Sequence, residues 1–378
     1  MPLSAEEKIT KILEAAGCQL NGPNPWDPQV HDESAYGRLI RGGSLAAGET
    51  YMDGLWDCER LDILVDKIGG AESPVQSLGK ATLARAAAAA LFQNLQSPRR
   101  ARHNAEHHYN IGNDLYVPML GKTMAYSCAY WKDVPDKSKG DPKYLDRAQE
   151  AKFDLICRKL GLQPGMRVLE IGCGWGGPLS YAMRKYGVEG VGITPASEQV
   201  AYIKKHHPEI KVRRQDWREV TGQYDRVYSI GMFEHVGPKN YRGYFDKVKA
   251  LTKPGGMSLL HTIGSPRTRL TTDPWITKYI FPGGHIPSEA QIRRASKAAF
   301  DIADWHEMGT NYDHTLMAWH ANFQKAWPDI ADHYDERFKR MWQYYLLICA
   351  GSFRSQTNLL FQAVMTDQGA AESYTPVR

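Results

Sequence analysis

The chain has 378 residues, of which 42% are hydrophobic and 24% are charged, and its net charge is +5. This composition is that of a globular protein with one large or two ordinary domains, and it excludes disordered and fibrous classes. No apolar stretch approaches the roughly 20 residues of a membrane-spanning helix, and the N-terminus carries acids where a signal peptide has bases. We therefore predict a cytoplasmic protein. The small positive charge suits an anionic partner, and no nucleic-acid partner is predicted.

The six cysteines are widely separated, and no two of them form a C-x-x-C motif. This spacing argues against a zinc site or an iron–sulfur cluster built from local ligands, and nothing indicates a disulfide framework. We predict no metal centre.

The N-terminal part of the chain has the pattern of a small, mainly helical unit. Ser4 and Glu7 form a capping-box pair before apolar residues at helical spacing. The alanine-rich segment 81–96 predicts another helix, and the basic run SPRRARH (97–103) follows it. The predicted organisation is a helical N-terminal domain, a basic linker and a second, larger domain, at residues 1–90, 91–107 and 108–378.

From about residue 145 the pattern alternates between strands and helices. Asp146 and Gln149 form a capping-box pair for a helix that ends at Gly161. Amphipathic helices then separate apolar strands, which are predicted at 166–172, 188–194, 210–216, 224–231 and 257–263. Such alternation indicates βαβ units and an α/β fold with a doubly wound, mostly parallel sheet. The last third of the chain is predicted to be helical and rich in aromatic residues.

A glycine loop follows the first predicted strand of this sheet. The segment LEIGCGWGG (169–177) matches G-x-G-x-x-G between a strand and a helix, which is typical of dinucleotide and S-adenosylmethionine sites. A dinucleotide site needs an acid at the end of the second strand, where this chain has GIT (192–194). Glu170 precedes the glycines and suits the ammonium group of a methionine tail better than a pyrophosphate. The sequence therefore favours S-adenosylmethionine.

Further motifs occur in order along the chain. They are YMDGLWDCERLD near the N-terminus, YSCAYW (126–131), GITPASEQ (192–199), GMFEHVGPKNY (231–241), LLHTIG (259–264) and DPWITKYIFPGG (273–284). Together with the glycine loop, they resemble the cyclopropane-fatty-acyl-phospholipid synthase family over nearly the whole chain. The mycolic acid cyclopropane synthases look similar over the C-terminal part only.

The resemblance implies a fold and an activity. The fold is a class I methyltransferase-like domain with a helical, lipid-facing cap, preceded by the small helical domain. The activity is transfer of a methylene group from S-adenosylmethionine to the cis double bond of an unsaturated phospholipid acyl chain. Motif matching implies cofactor contacts from Tyr126, Ser127, Gly172, Gly174, Thr194, Gln199 and Trp217. We add Glu170 and also Asp216, which lies at a third strand end where an adenine would be met. For YSCAYW and QDW (215–217), an aromatic core strand and a plain strand end remain alternatives.

Two polar residues follow neighbouring strands at their carboxyl ends, where doubly wound folds build their sites. They are Glu234 and His261, for which a solvated loop and a buried core histidine are the alternatives. An alkene attacks a sulfonium methyl group only in a dry, aligned site, and the resulting cation must then lose a proton to a base. The resemblance implies that the base is a bound bicarbonate ion, with ligands Cys128, Glu234, His261, Tyr312 and the backbone of Ile263.

Aromatic faces attract a cation, and the candidates here are Tyr279, Phe281, Trp319 and Phe353, each with a core role as its alternative. Cys349 is a doubtful nucleophile, because it shares an apolar helix stripe with Tyr345 and Leu346 and is predicted to pack in the core.

The substrate implies a phospholipid bilayer as a peripheral partner. The arginines at 99, 100 and 102 are predicted to contact anionic head groups. The N-terminal domain is expected to add a second lipid contact or a homodimer interface. Two alternatives remain for the function, another S-adenosylmethionine enzyme with a methyl-branched, methylene or amine product, and a lipid-binding protein with an inactive cofactor site.

Overall fold

The computed structural model describes residues 3–71, 96 and 112–378. The predicted helix 81–96 lies outside the described residues except for Gln96, and so do the basic linker and its three arginines.

Residues 3–71 form a small unit of helices and one short ribbon. Its elements are α1 (Ala5–Ala15), β1 (Gln29–Val30), α2 (Ser34–Gly42), α3 (Ser44–Met52), β2 (Trp56–Asp57) and α4 (Leu61–Gly70). Helix α1 begins with the predicted capping box, in which the Ser4 side chain accepts from the Glu7 amide and the Glu7 carboxylate accepts from the Ser4 amide. Two of the four orphan amides of the first turn are satisfied in this way, so the start of the helix was readable from the sequence.

The larger part of the chain is built on one seven-stranded sheet. The five predicted strands are confirmed as β3 (Arg167–Ile171), β4 (Glu189–Thr194), β5 (Lys211–Arg214), β6 (Tyr224–Ile230) and β7 (Thr252–Gly264). They pair in parallel, and the sheet order is β5-β4-β3-β6-β7-β9-β8. The α/β, mostly parallel prediction is therefore confirmed.

The prediction of a wholly helical last third was wrong. Strands β8 (Asp301–Glu307) and β9 (Leu359–Thr366) complete the sheet beside β7, and β9 lies antiparallel to both of its neighbours. Most of β9 is buried on both faces, so its sequence reads as a short apolar run. Such a run cannot be separated from a buried helix by periodicity alone.

Helices cover both faces of the sheet and one of its ends. Their bounds are α5 (Asn113–Leu120), α6 (Leu145–Lys159), α7 (Gly177–Tyr186), α8 (Ser197–His206), α9 (Tyr241–Leu251), α10 (Pro274–Tyr279), α11 (Glu289–Ser296), α12 (Asn311–Ile330) and α13 (Glu336–Arg354). No helix among the described residues is long and apolar enough to cross a membrane.

The predicted capping box of α6 was wrong, although the helix exists and ends just before Gly161. A turn of 3-10 helix at Pro142–Tyr144 leads directly into α6, so Asp146 lies inside the first turn. Its carboxylate accepts from the amide of Thr123, and Gln149 donates to the carbonyls of Ala125 and Ser127. Tertiary partners have replaced the local capping interaction.

The N-terminal unit shares one core with helices α10, α12 and α13. The Tyr344 ring lies 5.2 Å from that of Tyr51 and 4.7 Å from that of Trp275. Asp62 of α4 is fully buried and forms an ion pair with Arg354 of α13 at 2.7 Å. Because these contacts are buried, the N-terminal unit stabilises the group of helices α10, α12 and α13.

Candidate active site

A cavity lies at the carboxyl ends of β3, β4, β5 and β6. Its empty volume is about 1120 Å³, including space open to solvent. All nine residues of the predicted cofactor site line it, namely Tyr126, Ser127, Glu170, Gly172, Gly174, Thr194, Gln199, Asp216 and Trp217. Parallel strands end at one edge of the sheet, so residues from separate motifs meet there. We call this the cofactor cavity.

Two glycines of the loop have conformations that require glycine. Gly172 has φ +80°, and a Cβ there would lie 2.6 Å from Cγ of Met232. Gly174 has φ +53°, and a Cβ there would meet no atom within 4 Å. Both lie in the left-handed region that L side chains disfavour. Gly172 therefore permits close packing of the loop, and Gly174 keeps open space beside the loop.

Glu170 is almost fully buried at the wall of this cavity. The Tyr228 hydroxyl donates to its Oε2 at 3.2 Å, and burial raises the pKa of the carboxyl to about 8. A cationic ligand group beside it would stabilise the carboxylate. The ammonium group of S-adenosylmethionine is such a group, so this acid fits the predicted cofactor.

The Tyr126–Cys128 segment is held by two side chains of α6 that sequence reasoning missed. Lys152 Nζ donates to Ser127 Oγ at 2.6 Å, and Gln149 Nε2 donates to the Ser127 carbonyl at 2.8 Å. Lys152 is fully buried, which lowers the pKa of its ammonium to about 7. The i, i+3 spacing of Gln149 and Lys152 places them on one helix face and was the available signal.

Other polar groups of the cofactor cavity are paired with each other. Thr194 Oγ1 donates to Gln199 Oε1 at 2.6 Å. The Asp216 carboxylate accepts from the guanidinium of Arg218, which also lies over the ring of Trp217 at 4.4 Å. The cavity is therefore organised by its own contacts.

A second cavity adjoins the first. Its empty volume is about 1430 Å³, including space open to solvent, and Tyr126, Gly231 and His235 line both cavities. Residues from α4, the loop after β6, β7, α12 and α13 contribute to its wall. We call it the acyl cavity after the acyl-chain substrate that the sequence resemblance implies, and more of its lining surface is apolar than polar. A group held at the shared residues faces both spaces.

Glu234 lies in the wall of the acyl cavity with one oxygen unpaired. Its Oε1 accepts from the amide of Ile263 at 2.7 Å, whereas its buried Oε2 has no hydrogen-bond partner among the described residues. Burial raises the pKa of this carboxyl to about 7. The Ile263 amide is thus used to hold Glu234, and in this arrangement it is not available to an anion.

His261 is fully buried on β7 and does not line either cavity. The Gln362 side-chain amide donates to its Nδ1 at 3.0 Å, which leaves the ring proton on Nε2. That Nε2 atom has no partner within the described part of the chain, and burial holds the pKa of the ring well below its usual value. The ring is a neutral donor that lacks an acceptor.

The remaining predicted bicarbonate ligands lie close to these groups. Cys128 is fully buried and packs with Ile263 and Tyr312, and burial raises the pKa of its thiol. Tyr312 lines the acyl cavity with its ring stacked on Phe353 at 4.5 Å, and burial raises the pKa of its hydroxyl. Tyr312 offers a hydroxyl donor to the cavity, whereas Cys128 lines neither cavity and its thiol donates to the Ala129 carbonyl at 3.1 Å.

Two of the four aromatic candidates line the acyl cavity, Phe281 and Phe353. Trp319 is fully buried behind the rings of Tyr126 and Tyr312, and the hydroxyl of Tyr279 donates to Glu49.

Sequence reasoning missed Tyr345 as a lining residue. Its hydroxyl accepts from the hydroxyl of Tyr126 at 2.8 Å. Helical spacing places Tyr345 four residues before Cys349, and both line the acyl cavity. The apolar stripe predicted as core is in part a cavity wall. Burial raises the pKa of the Cys349 thiol to about 12, so it is not a thiolate near neutral pH.

The fold and the cofactor cavity define an S-adenosylmethionine-dependent methyltransferase. Among solved structures, the chain is similar to the mycolic acid cyclopropane synthase CmaA1 complexed with SAH and CTAB, with 31% identity and a TM-score of 0.64. The match covers 70% of this chain and 98% of that one.

The sequence comparisons name the family. The family described as mycolic acid cyclopropane synthetase matches residues 96–363. A cyclopropane-fatty-acyl-phospholipid synthase of Escherichia coli is 48% identical, over 94% of this chain and 92% of that protein. The tuberculostearic acid methyltransferase UfaA1 of Mycobacterium tuberculosis is 31% identical, over 95% of this chain and 88% of that protein. The chain belongs to the mycolic acid cyclopropane synthetase family.

Proposed function

We propose that the protein transfers a methylene group from S-adenosylmethionine to the cis double bond of an unsaturated phospholipid acyl chain. The products are a cyclopropane fatty acyl phospholipid and S-adenosylhomocysteine. One observation carries the proposal: a cofactor cavity and an aromatic-lined acyl cavity meet at Tyr126, Gly231 and His235. The similarity to the Escherichia coli synthase over 94% of the chain supports the same reaction.

The residues of the cofactor cavity bind and orient the methyl donor. When bound, S-adenosylmethionine supplies an electrophilic methyl group. Glu170 would hold the ammonium group, Gly172 and Gly174 would allow close approach of the backbone, and Trp217 would present its ring to the adenine. Tyr126, Gly231 and His235 line both cavities and would lie between the methyl donor and the acyl chain. An unactivated alkene requires an aligned site from which water is excluded.

We propose that Glu234, His261, Tyr312 and Cys128 hold a bicarbonate ion that accepts the proton released on ring closure. The support is the unpaired Glu234 Oε2 and the unpaired His261 Nε2, because buried polar atoms rarely lack partners. In this proposal, Glu234 Oε2 accepts from the hydroxyl group of the bicarbonate ion. His261 and Tyr312 donate to the anionic oxygens of the same ion. When bound, bicarbonate would supply a base at one place beside the acyl cavity. The backbone of Ile263 contributes by holding Glu234.

The aromatic residues of the acyl cavity stabilise the cationic state. Phe281, Tyr345 and Phe353 line the cavity, and an aromatic face attracts a nearby cation by about 0.5–2 kcal/mol. Phe281 and Phe353 carry no nucleophile that could trap the cation, and the Tyr345 hydroxyl is bonded to that of Tyr126.

The transferred carbon gives the decisive test. The protein is incubated with unsaturated phospholipid vesicles and S-adenosylmethionine whose methyl group is fully deuterated. Ring closure removes one hydrogen from that methyl group, so the acyl chain should gain two deuteriums. Because an exocyclic methylene also keeps two, proton NMR of the product made with unlabelled S-adenosylmethionine must show the shielded hydrogens of the ring methylene. Retention of all three deuteriums in the acyl chain would indicate methyl branching and refute the proposal, and a label on the head group would indicate an amine methyltransferase.

The bicarbonate assignment has its own test. Turnover should fall in carbonate-free buffer under nitrogen and recover on addition of bicarbonate at constant pH. Formate and chloride at equal ionic strength are the controls. A rate that does not depend on bicarbonate contradicts this part of the proposal and leaves the overall reaction intact.

We propose that the protein is cytoplasmic and binds the inner face of the membrane peripherally. The homodimer stays a prediction, and sedimentation of the purified protein tests it. The head-group role of the arginines at 99, 100 and 102 also stays a prediction, because they lie outside the described residues.

A further inference from the structure

The segment 265–272 lies between β7 and α10, and its residues 266–270 are exposed to solvent. We call it the 265–272 loop. Arg267, Arg269 and Leu270 are exposed, and Leu270 at 59% is the most exposed large hydrophobic side chain among the described residues. An exposed leucine just after two arginines is unusual for a purely solvated loop and is typical of surfaces that enter a membrane interface.

Four hydrogen bonds connect this loop to segment 284–288. Its contacts with segment 284–288 are Ser265 N to Pro287 O at 2.9 Å, Thr268 Oγ1 with Ser288 Oγ at 2.7 Å, Thr272 Oγ1 to Gly284 O at 2.7 Å and His285 Nε2 with Arg269 O at 3.1 Å. Two of these contacts are made by the loop backbone and two by threonine hydroxyls, so the loop loses little backbone entropy on docking.

The loop lies at the wall of the acyl cavity. Arg269 and Thr271 line this cavity together with Glu234 and Tyr312. His285 connects the loop to Glu234. Its ring bonds the Arg269 carbonyl, and its amide donates to the Glu234 carbonyl at 2.8 Å. A lipid bound at the loop therefore lies beside the cavity that Glu234 and Tyr312 line.

The positive charge of the loop is not neutralised within the described structure. Neither Arg267 nor Arg269 forms a side-chain hydrogen bond or ion pair with another described residue. The nearest acid in sequence, Asp273, uses its carboxylate to accept from the amides of Trp275 and Ile276. The two guanidinium groups are therefore available to phosphate, which they bind well.

We infer that the 265–272 loop docks on an anionic phospholipid bilayer, with Arg267 and Arg269 on lipid phosphates and Leu270 in the interface. The docked loop places the acyl cavity at the membrane surface, so that a lipid chain enters without leaving the bilayer for water. The inference rests on the proposed function for the identity of the lipid as substrate, and vesicle binding by itself does not depend on turnover.

The test compares two double variants of the full-length protein. R267Q/L270S removes one loop charge and the exposed leucine, neither of which lines a cavity. K204Q/V117S is the matched control, because Lys204 is exposed on α8 and Val117 is 46% exposed on α5. Binding is measured by co-sedimentation with vesicles of unsaturated phosphatidylglycerol and phosphatidylethanolamine, with no S-adenosylmethionine present.

R267Q/L270S should bind these vesicles at least tenfold more weakly than wild type, because one basic residue near an anionic surface is worth roughly fivefold and an inserted leucine adds to it. R269Q should weaken binding further. The control should stay within about twofold. Cofactor binding and turnover of detergent-dispersed phospholipid should not change in R267Q/L270S, which shows that the variant is folded.

Equal vesicle binding by wild type and R267Q/L270S overturns the inference. An equal loss in the control also overturns it, because the attraction would then be diffuse. A protein that needs the loop to bind vesicles but makes no cyclopropane lipid keeps the docking inference and refutes the proposed function. A protein that makes the cyclopropane product but binds vesicles without the loop refutes the docking inference and keeps the proposed function.

Discussion

The two adjoining cavities differ in how their polar groups are satisfied. In the cofactor cavity, Thr194 and Gln199 bond each other, and Asp216 is held by Arg218. At the acyl cavity, Glu234 Oε2 and the nearby His261 Nε2 are buried without a partner in the described structure. An unpaired buried polar atom costs about 1–3 kcal/mol. The polar side chains named in the first cavity are therefore paired before a ligand enters, whereas Glu234 presents an unpaired acceptor at the second.

The largest expected effect is a loss of turnover, and it tests whether the unpaired Glu234 Oε2 takes part in the reaction. Glu234→Gln should lower kcat by roughly 10–150-fold, because a charge-assisted hydrogen bond of about 1.5–3 kcal/mol is lost. S-adenosylmethionine binding, measured by calorimetry, should not change. The matched variant Tyr312→Phe should behave in the same way. An equal loss of cofactor affinity in either variant would move that residue to the cofactor cavity.

The raised pKa of Glu234 predicts a pH dependence of stability. Burial raises this pKa to about 7, so between its ordinary range and about pH 7 the folded protein holds a proton that the unfolded chain has lost. The free energy of unfolding should therefore fall as the pH rises through this window. Subtracting the pH profile of Glu234→Gln isolates the residue, because the other buried groups titrate in both proteins. A difference that is flat from pH 5 to 8 would contradict the pKa shift.

A smaller effect is expected at the cation that holds the Tyr126–Cys128 segment. Lys152→Met removes the bond to Ser127 and should weaken S-adenosylmethionine binding by roughly 2- to 10-fold, which corresponds to one hydrogen bond of about 0.5–1.5 kcal/mol. Thermal stability should hold or rise, because an apolar side chain replaces a buried amine. If stability and cofactor affinity fell together, Lys152 would have a purely structural role.

The smallest effect is expected at Cys349. Its thiol has a pKa raised to about 12, so it is not an activated nucleophile, and the proposed reaction needs no covalent intermediate. Cys349→Ser should keep kcat within about threefold, with a small loss of stability from a polar atom on an apolar wall. Complete inactivity of a folded, cofactor-binding variant would contradict this reading and assign the thiol to the acyl cavity's chemistry.

The contrast between the cavities also explains which one the sequence reveals. The parts of the cofactor cavity that the sequence predicts lie close together in the chain. They are the glycine loop, the carboxyl ends of β4 and β5 and the QDW segment, and each lies at the end of a strand. Parallel pairing then brings them to one edge of the sheet. The acyl cavity instead combines Val65, Tyr126, Glu234, Tyr312 and Tyr345. Its composition depends on how α4, α12 and α13 pack, and local spacing does not encode that.

Local physics determined the parts of this protein that the sequence by itself predicted. The capping box at Ser4 and the turn at Gly172 follow from hydrogen bonds and backbone preferences within a few residues, and the five strands follow from apolar runs that alternate with amphipathic helices. Tertiary structure decided the rest. Strand β9 takes its place by pairing with β7 and β8, Asp146 bonds Thr123 and does not cap its helix, and Tyr345 faces a cavity. In each case a partner distant in sequence outweighs a local preference of about 1 kcal/mol, because burial and long-range hydrogen bonds act at the same scale or above it.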